Sequence, residues 1–125
     1  MPVENISIIR LRDILLVTVP SDPDDETVAA LQKEVLQAMA QRECRGLVLD
    51  ISTVQTFDSF FARVVSDTVQ MVALMGARTV VSGMRANVAA TATQLGLTMG
   101  DSHTALDVDR ALALLNQSPS GGSRI

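Results

Sequence analysis

The sequence predicts an α/β fold: a mixed, mostly parallel sheet with an N-terminal antiparallel hairpin and about four helices, in the order β-β-α-β-α-β-α-β-α. Three observations carry this. Two β-branched runs, Ile6 to Leu11 and Asp13 to Val19, meet at Arg12-Asp13, which leaves room only for a tight turn. Beyond residue 22, segments with helical spacing alternate with short β-rich ones, the pattern of right-handed crossovers between parallel strands. The run from Gly46 to Ile51 is apolar almost without alternation, as a strand buried on both faces requires.

The remaining elements follow in order. Pro20-Ser21-Asp22-Pro23 breaks the second strand. Asp22 is placed to cap the first helix with Pro23 at its first position, and Asp24, Asp25 and Glu26 fall in the first turn, where the helix dipole favours negative charge. That acidic run therefore reads as helix-start chemistry and not as a metal site. Val28, Leu31, Val35, Leu36 and Met39 continue at helical spacing. After the strand at 46–51, a polar turn from Ser52 to Asp58 leads into a long helix ending at Gly76. Thr79 to Ser82 is a fourth strand ended by Gly83, and residues 85–95 are helical, with Gly96 as a left-handed cap. Leu97 to Met99 reads as a short last strand, and Asp107 caps a final helix carrying Val108, Ala111, Leu112 and Leu115. Ser118 to Ile125 has linker composition, so the expected organisation is one domain over 1–117 and a flexible tail over 118–125.

Composition narrows the function. The chain has 125 residues, 47% hydrophobic and 19% charged, so a core must be aliphatic: there are three Phe and no Trp or Tyr. A net charge of −4 gives no footprint for nucleic acid or an anionic membrane, and RNA would find almost no aromatic platforms. Cys44 and His103 are each the sole residue of their type, which excludes an internal disulfide and a CxxC site and leaves His103 as a surface or turn residue. The N-terminus has no signal-peptide pattern, and the longest aliphatic stretch is far too short for membrane insertion. The expectation is a cytoplasmic protein without a cofactor or metal. No catalytic Ser–His–Asp spacing, phosphate-binding Gly loop or carboxylate pair stands out, so it is not read as an enzyme.

Residues 59–75 carry the most information. At about 100° per residue, with Ser59 at zero, Arg63 falls near ~40°, Ser66 near ~−20°, Asp67 near ~80° and Gln70 near ~20°. Phe60, Phe61, Val64, Val65, Thr68, Val69, Met71, Val72 and Met75 occupy the opposite arc, and Leu74 alone is a large apolar residue near the polar sector. Ser59 thus starts a helix and faces solvent one turn before an outward Arg. A phosphate there would meet open backbone N–H groups, the positive end of the helix dipole and the Arg63 guanidinium. It would also add charge beside Asp58 without disturbing the core. The plain alternative is that Ser59 only starts the helix, since Ser is favoured there.

The run Leu47-Val-Leu-Asp50 followed by Phe57-Asp58-Ser59 resembles the STAS domain family (sulfate transporter and anti-sigma-factor antagonist). The block from Gly76 to Arg85, then Val88-Ala89 and Leu95-Gly96-Leu97, is similar to the stressosome branch, and the length is similar to its single-domain antagonist. The resemblance covers residues 6 to about 116 and implies a STAS fold. It makes Ser59 the phosphoacceptor, Asp58 the acid preceding it, and Gly83, Met84 and Arg85 the neighbouring loop. Ala86 departs from the Pro frequent in the family. The partners implied are a serine/threonine kinase of histidine-kinase-like fold, longer sensor-bearing STAS paralogues in a large homo- or hetero-oligomeric assembly, and a PP2C-type phosphatase. The unmodified form would sequester a serine-kinase switch protein, and phosphorylation of Ser59 would release it to activate the downstream response.

Other readings share some of these residues. A free anti-anti-sigma factor would bind an anti-sigma kinase directly through the same Ser59, and a STAS accessory subunit of a transporter would need no phosphorylation. A phosphoaspartate receiver could use Asp50 at the end of its strand, but the strand ending at Arg12 lacks the acidic pair that would hold Mg²⁺, and Lys33 is the only Lys.

Overall fold

A computed structural model describes residues 6–95 and 102–117. The hairpin forms first in the chain: β1 (Ser7–Leu11) and β2 (Ile14–Thr18) pair antiparallel, from Ser7 opposite Thr18 to Leu11 opposite Ile14. The two-residue connection holds Arg12 at φ 60°, a left-handed conformation in which Gly or Asn is more common. Then β3 (Gly46–Asp50), β4 (Arg78–Ser82) and β5 (Ser102–Ala105) add in parallel, so the sheet runs in the simple order β1-β2-β3-β4-β5.

The alternation along β2, β3 and β4 divides the core in two. Leu15, Val17, Leu47, Leu49 and Val81 point to one face. There they meet α1 (Asp25–Gln41), α2 (Ser59–Leu74) and α3 (Ala86–Gln94), through residues such as Leu31, Val35, Phe61, Val69 and Val88. Ile14, Val48 and Val80 point to the other face, where α4 (Val108–Asn116) supplies Ala111 and Leu115. Val48, Val80, Val17, Val35 and Val72 have no accessible surface, so the central strands are closed from both sides. This is the expected α/β arrangement of a mixed sheet and four helices.

Three local expectations change. The first helix is capped by Asp24 and not Asp22: Asp24 accepts the Thr27 N–H at 2.8 Å, while Asp22 accepts the Thr56 hydroxyl at 2.6 Å. Either acid could cap, and Asp22 is held instead by the loop before α2. The last strand is Ser102–Ala105, while Leu97–Met99 and the Gly96 cap lie outside the described residues, as does the segment 118–125. His103 is exposed within that strand, opposite Val80, on the surface as expected. On α2, Phe60, Met71 and Met75 are 38–46% exposed, because the helix covering reaches less far round than the apolar arc.

Candidate functional site

Parallel strands bring their carboxyl ends to one edge, so the loops after β3 and β4 meet there. The loop between β3 and α2 is anchored along its length. The Ile51 N–H donates to the Ser82 carbonyl at 3.0 Å, and the Gln55 N–H donates to the Ser21 carbonyl at 2.7 Å. The Arg85 guanidinium donates to the Val54 carbonyl at 3.1 Å. Phe57 is buried, its ring centroid 5.0 Å from that of Phe61. These contacts fix the angle at which the chain enters α2.

Asp58 caps that helix, its carboxylate accepting the Phe61 N–H at 2.9 Å and its carbonyl accepting the Ala62 N–H at 2.9 Å. The Ser59 and Phe60 N–H groups precede the first helical repeat and find no backbone acceptor among the described residues. Ser59 is exposed as the first helical residue. Unlike α1 and α4, α2 has no acidic residue in its first turn, so only the cap offsets its dipole. Arg63 is exposed one turn on and makes no hydrogen bond or ion pair among the described residues. Ser59 and Arg63 line one open depression of about 500 Å³, together with Phe60, Ser66, Asp67 and Leu95. The arrangement offers an anion two free N–H groups and a guanidinium on an accessible surface.

The residues of the neighbouring loop act at one remove. Gly83, at φ 80°, lies so close to the β3–α2 loop that a Cβ there would be 2.5 Å from Ser52 Cβ. Met84 packs against the main core, and Arg85 is the residue before α3, with no side-chain cap bond. Gly83 and Arg85 therefore brace the loop leading to Ser59, and Ser59 shares its depression with Arg63 alone of the other predicted site residues. The close approach of Ser52 to Gly83 and the place of Leu95 in the depression are not legible in the sequence. A contact between distant loops leaves no local pattern, and Leu95 reads only as a helix end. Asp50 is engaged at the end of β3, where its carboxylate accepts from the Ser52 N–H at 3.1 Å and from the Ser82 hydroxyl at 3.4 Å.

Comparison with known proteins bears on the family and the fold. The chain is 33% identical over 82 residues to the RsbT co-antagonist protein RsbRB of Bacillus subtilis (strain 168), and it spans only 30% of that protein's length. Its structure is similar to RsbS of Moorella thermoacetica carrying a serine-to-glutamate substitution, with a TM-score of 0.82 and 27% identity over 98% of this chain and 100% of the other. It is also similar to a chain of a stressosome structure, with a TM-score of 0.75 and 28% identity over 95% of this chain and 100% of that one. The anti-sigma factor antagonist SpoIIAA in its unphosphorylated form, 13% identical over 91% of this chain and 98% of its own, shares the fold with a TM-score of 0.75. The family model of the STAS domain matches residues 5–111, and the chain belongs to the STAS domain family.

Proposed function

We propose that this protein is a non-enzymatic, phosphorylation-controlled regulator in a bacterial stress-signalling assembly of the stressosome type, working in the cytoplasm. The observation that carries the reading is Ser59: exposed, first in α2, beside two open N–H groups and sharing a depression with Arg63. Similarity to RsbS over nearly the full length of both chains supports the same branch. In this reading the unmodified protein sits in an assembly with longer STAS paralogues and holds a serine-kinase switch protein inactive. A kinase of histidine-kinase-like fold phosphorylates Ser59, the added charge of about −1.5 to −2 shifts the partner equilibrium, and a PP2C-type phosphatase resets it. Asp58 sets the helix start, Arg63 pairs with the phosphate, and Gly83, Met84 and Arg85 hold the surrounding surface.

The test is phosphate mapping by intact-mass and peptide mass spectrometry on protein from its host before and after stress, with an acid-treatment control. Acid-stable phosphate on Ser59 that rises with stress is the expected result, abolished in Ser59→Ala and with weaker partner release in Arg63→Ala. Phosphate lost in acid would place the modification on an aspartate, and none in either state would remove the switch.

A further inference from the structure

The loop that leads into α2 is held from two sides. Toward β4 it meets Gly83 and the Arg85 guanidinium. Toward β2 it rests on residues 19–24, the connection into α1, through contacts that follow the same order along both segments. The Thr53 hydroxyl donates to the Val19 carbonyl at 3.4 Å, the Gln55 N–H to the Ser21 carbonyl at 2.7 Å, and the Thr56 hydroxyl to the Asp22 carboxylate at 2.6 Å. Val54 and Phe57 are buried on either side of Gln55 and Thr56, which stay exposed beside the neighbouring loop.

The segment they rest on is stiff. Pro20 and Pro23 have φ locked by their rings, and each biases the residue before it, Val19 and Asp22, toward extended backbone. Just beyond, Asp24 caps α1, whose first turn buries Thr27 and Val28. Asp22 is itself a competent cap but gives its carboxylate to Thr56, 34 positions away in sequence. Charge on the acceptor and the short distance make this one of the stronger kinds of surface hydrogen bond. Among the described residues it is also the last polar tie on the chain before the Asp58 cap and Ser59.

We infer that the hydrogen bond between Thr56 and Asp22 is a latch that positions Ser59 for phosphoryl transfer. The inference rests on the reading of Ser59 as phosphoacceptor and adds what sets its reactivity. In the transfer, the bond from Ser59 Oγ to the γ-phosphorus of ATP forms as the bond to the bridging oxygen breaks. ADP leaves with that electron pair, and the hydroxyl proton passes to a base of the kinase or to solvent. Catalysis of such a step is largely placement of the attacking oxygen in line with the leaving group. A loop ordered by its own protein needs no ordering when the kinase docks, so the latch speeds phosphate uptake. Thr56 and Asp22 are positioning residues: they act through the entry of the chain into α2 and touch neither phosphate nor kinase.

The test adds the purified full chain and ATP to a lysate of its host deleted for the same protein, and follows phosphate on Ser59 by peptide mass spectrometry. Thr56→Val, which keeps the shape and removes the hydroxyl, and Asp22→Ala should each slow uptake about fivefold, the factor one net hydrogen bond supports. Urea midpoints should stay near wild type, because the pair is exposed, while amide exchange over residues 55–60 quickens. Thr56→Ser restores the donor and should restore both the rate and the protection. Thr56→Val combined with Asp22→Ala should be no slower than either alone, since both remove the same bond. Asp22→Asn keeps an acceptor oxygen, should fall between, and replaces Asp22→Ala if that variant folds poorly. Uptake by Thr56→Val at the wild-type rate, or Thr56→Ser as slow as Thr56→Val, overturns the latch and leaves Ser59 as phosphoacceptor untouched. A wild-type chain that gains no phosphate on Ser59 instead removes the phosphoacceptor reading, and the latch falls with it.

Discussion

The carboxylate of Asp58 accepts the backbone N–H of Phe61 at 2.9 Å, so the acid beside Ser59 is committed to the start of α2. It occupies one of the N–H groups an anion could have used and leaves those of Ser59 and Phe60 open. A phosphate on Ser59 would therefore approach a helix start that is already held in place, and no refolding of the loop is needed to present it.

Asp58→Ala should cost about 1 kcal/mol of stability, the usual loss on removing a helix cap, whereas Asp58→Asn should cost little because Asn caps comparably. Urea unfolding of the three proteins checks this. Equal midpoints for Ala and wild type would show that the carboxylate does not hold the helix start.

Gly83→Ala should be among the most damaging single changes in the chain. At φ 80° any Cβ is disfavoured, and this one would lie 2.5 Å from Ser52 Cβ and 2.8 Å from Ser52 Cα. The left-handed penalty of about 1–2 kcal/mol then adds to an overpacking cost of about 1–3 kcal/mol. Gly76→Ala separates the two contributions, because Gly76 has φ 91° but nothing within 4 Å of the added Cβ. Thermal unfolding should show a clearly larger loss for Gly83→Ala. Similar losses would mean that the close approach to Ser52 yields without cost.

The legibility of these elements follows from what each must satisfy. The third strand was readable because burial on both faces leaves Leu47, Val48 and Leu49 no polar alternative, and all three are buried. The edge strand was not, because Ser102, His103 and Thr104 answer to hydrogen bonding along β4 more than to any apolar requirement. The start of α1 was ambiguous for a different reason: Asp22, Asp24 and Asp25 are all competent caps, and the choice was made by Thr56, 34 residues away. At the candidate site the exposed Ser59 and Arg63 were legible from helical spacing alone. The resemblance gave Gly83 and Arg85 as a neighbouring loop, but their bracing contacts were not legible, since contacts between distant loops have no periodicity.

Thr79 lies in β4 with its hydroxyl buried and no hydrogen-bond partner for it among the described residues. An unsatisfied buried hydroxyl costs about 1–3 kcal/mol, and Val has nearly the same shape without that group. Thr79→Val should therefore raise stability, by roughly 1 kcal/mol, seen as a higher urea midpoint with an unchanged slope. A lower midpoint would show that the hydroxyl has a partner that outweighs its burial.

Asp24 gives a prediction with a defined sign in pH. Hydrogen bonding with Thr27, first through its side chain and then through its backbone N–H, holds the Asp24 carboxyl below its ordinary value of 3.8. A group whose pKa is depressed on folding contributes stability that is fully present above the unfolded value and is lost as pH falls through the folded one. Asp24→Asn keeps a capping oxygen but cannot titrate. The stability difference between wild type and this variant should be constant from pH 7 to 5 and shrink as pH drops below about 4. Urea midpoints measured at each pH test this directly, because comparison with the variant cancels the titration of every other carboxylate. A difference that stays flat down to pH 2 would show that the Asp24–Thr27 interaction owes nothing to the carboxylate's charge. The Asn variant would then differ from wild type by the same amount at every pH.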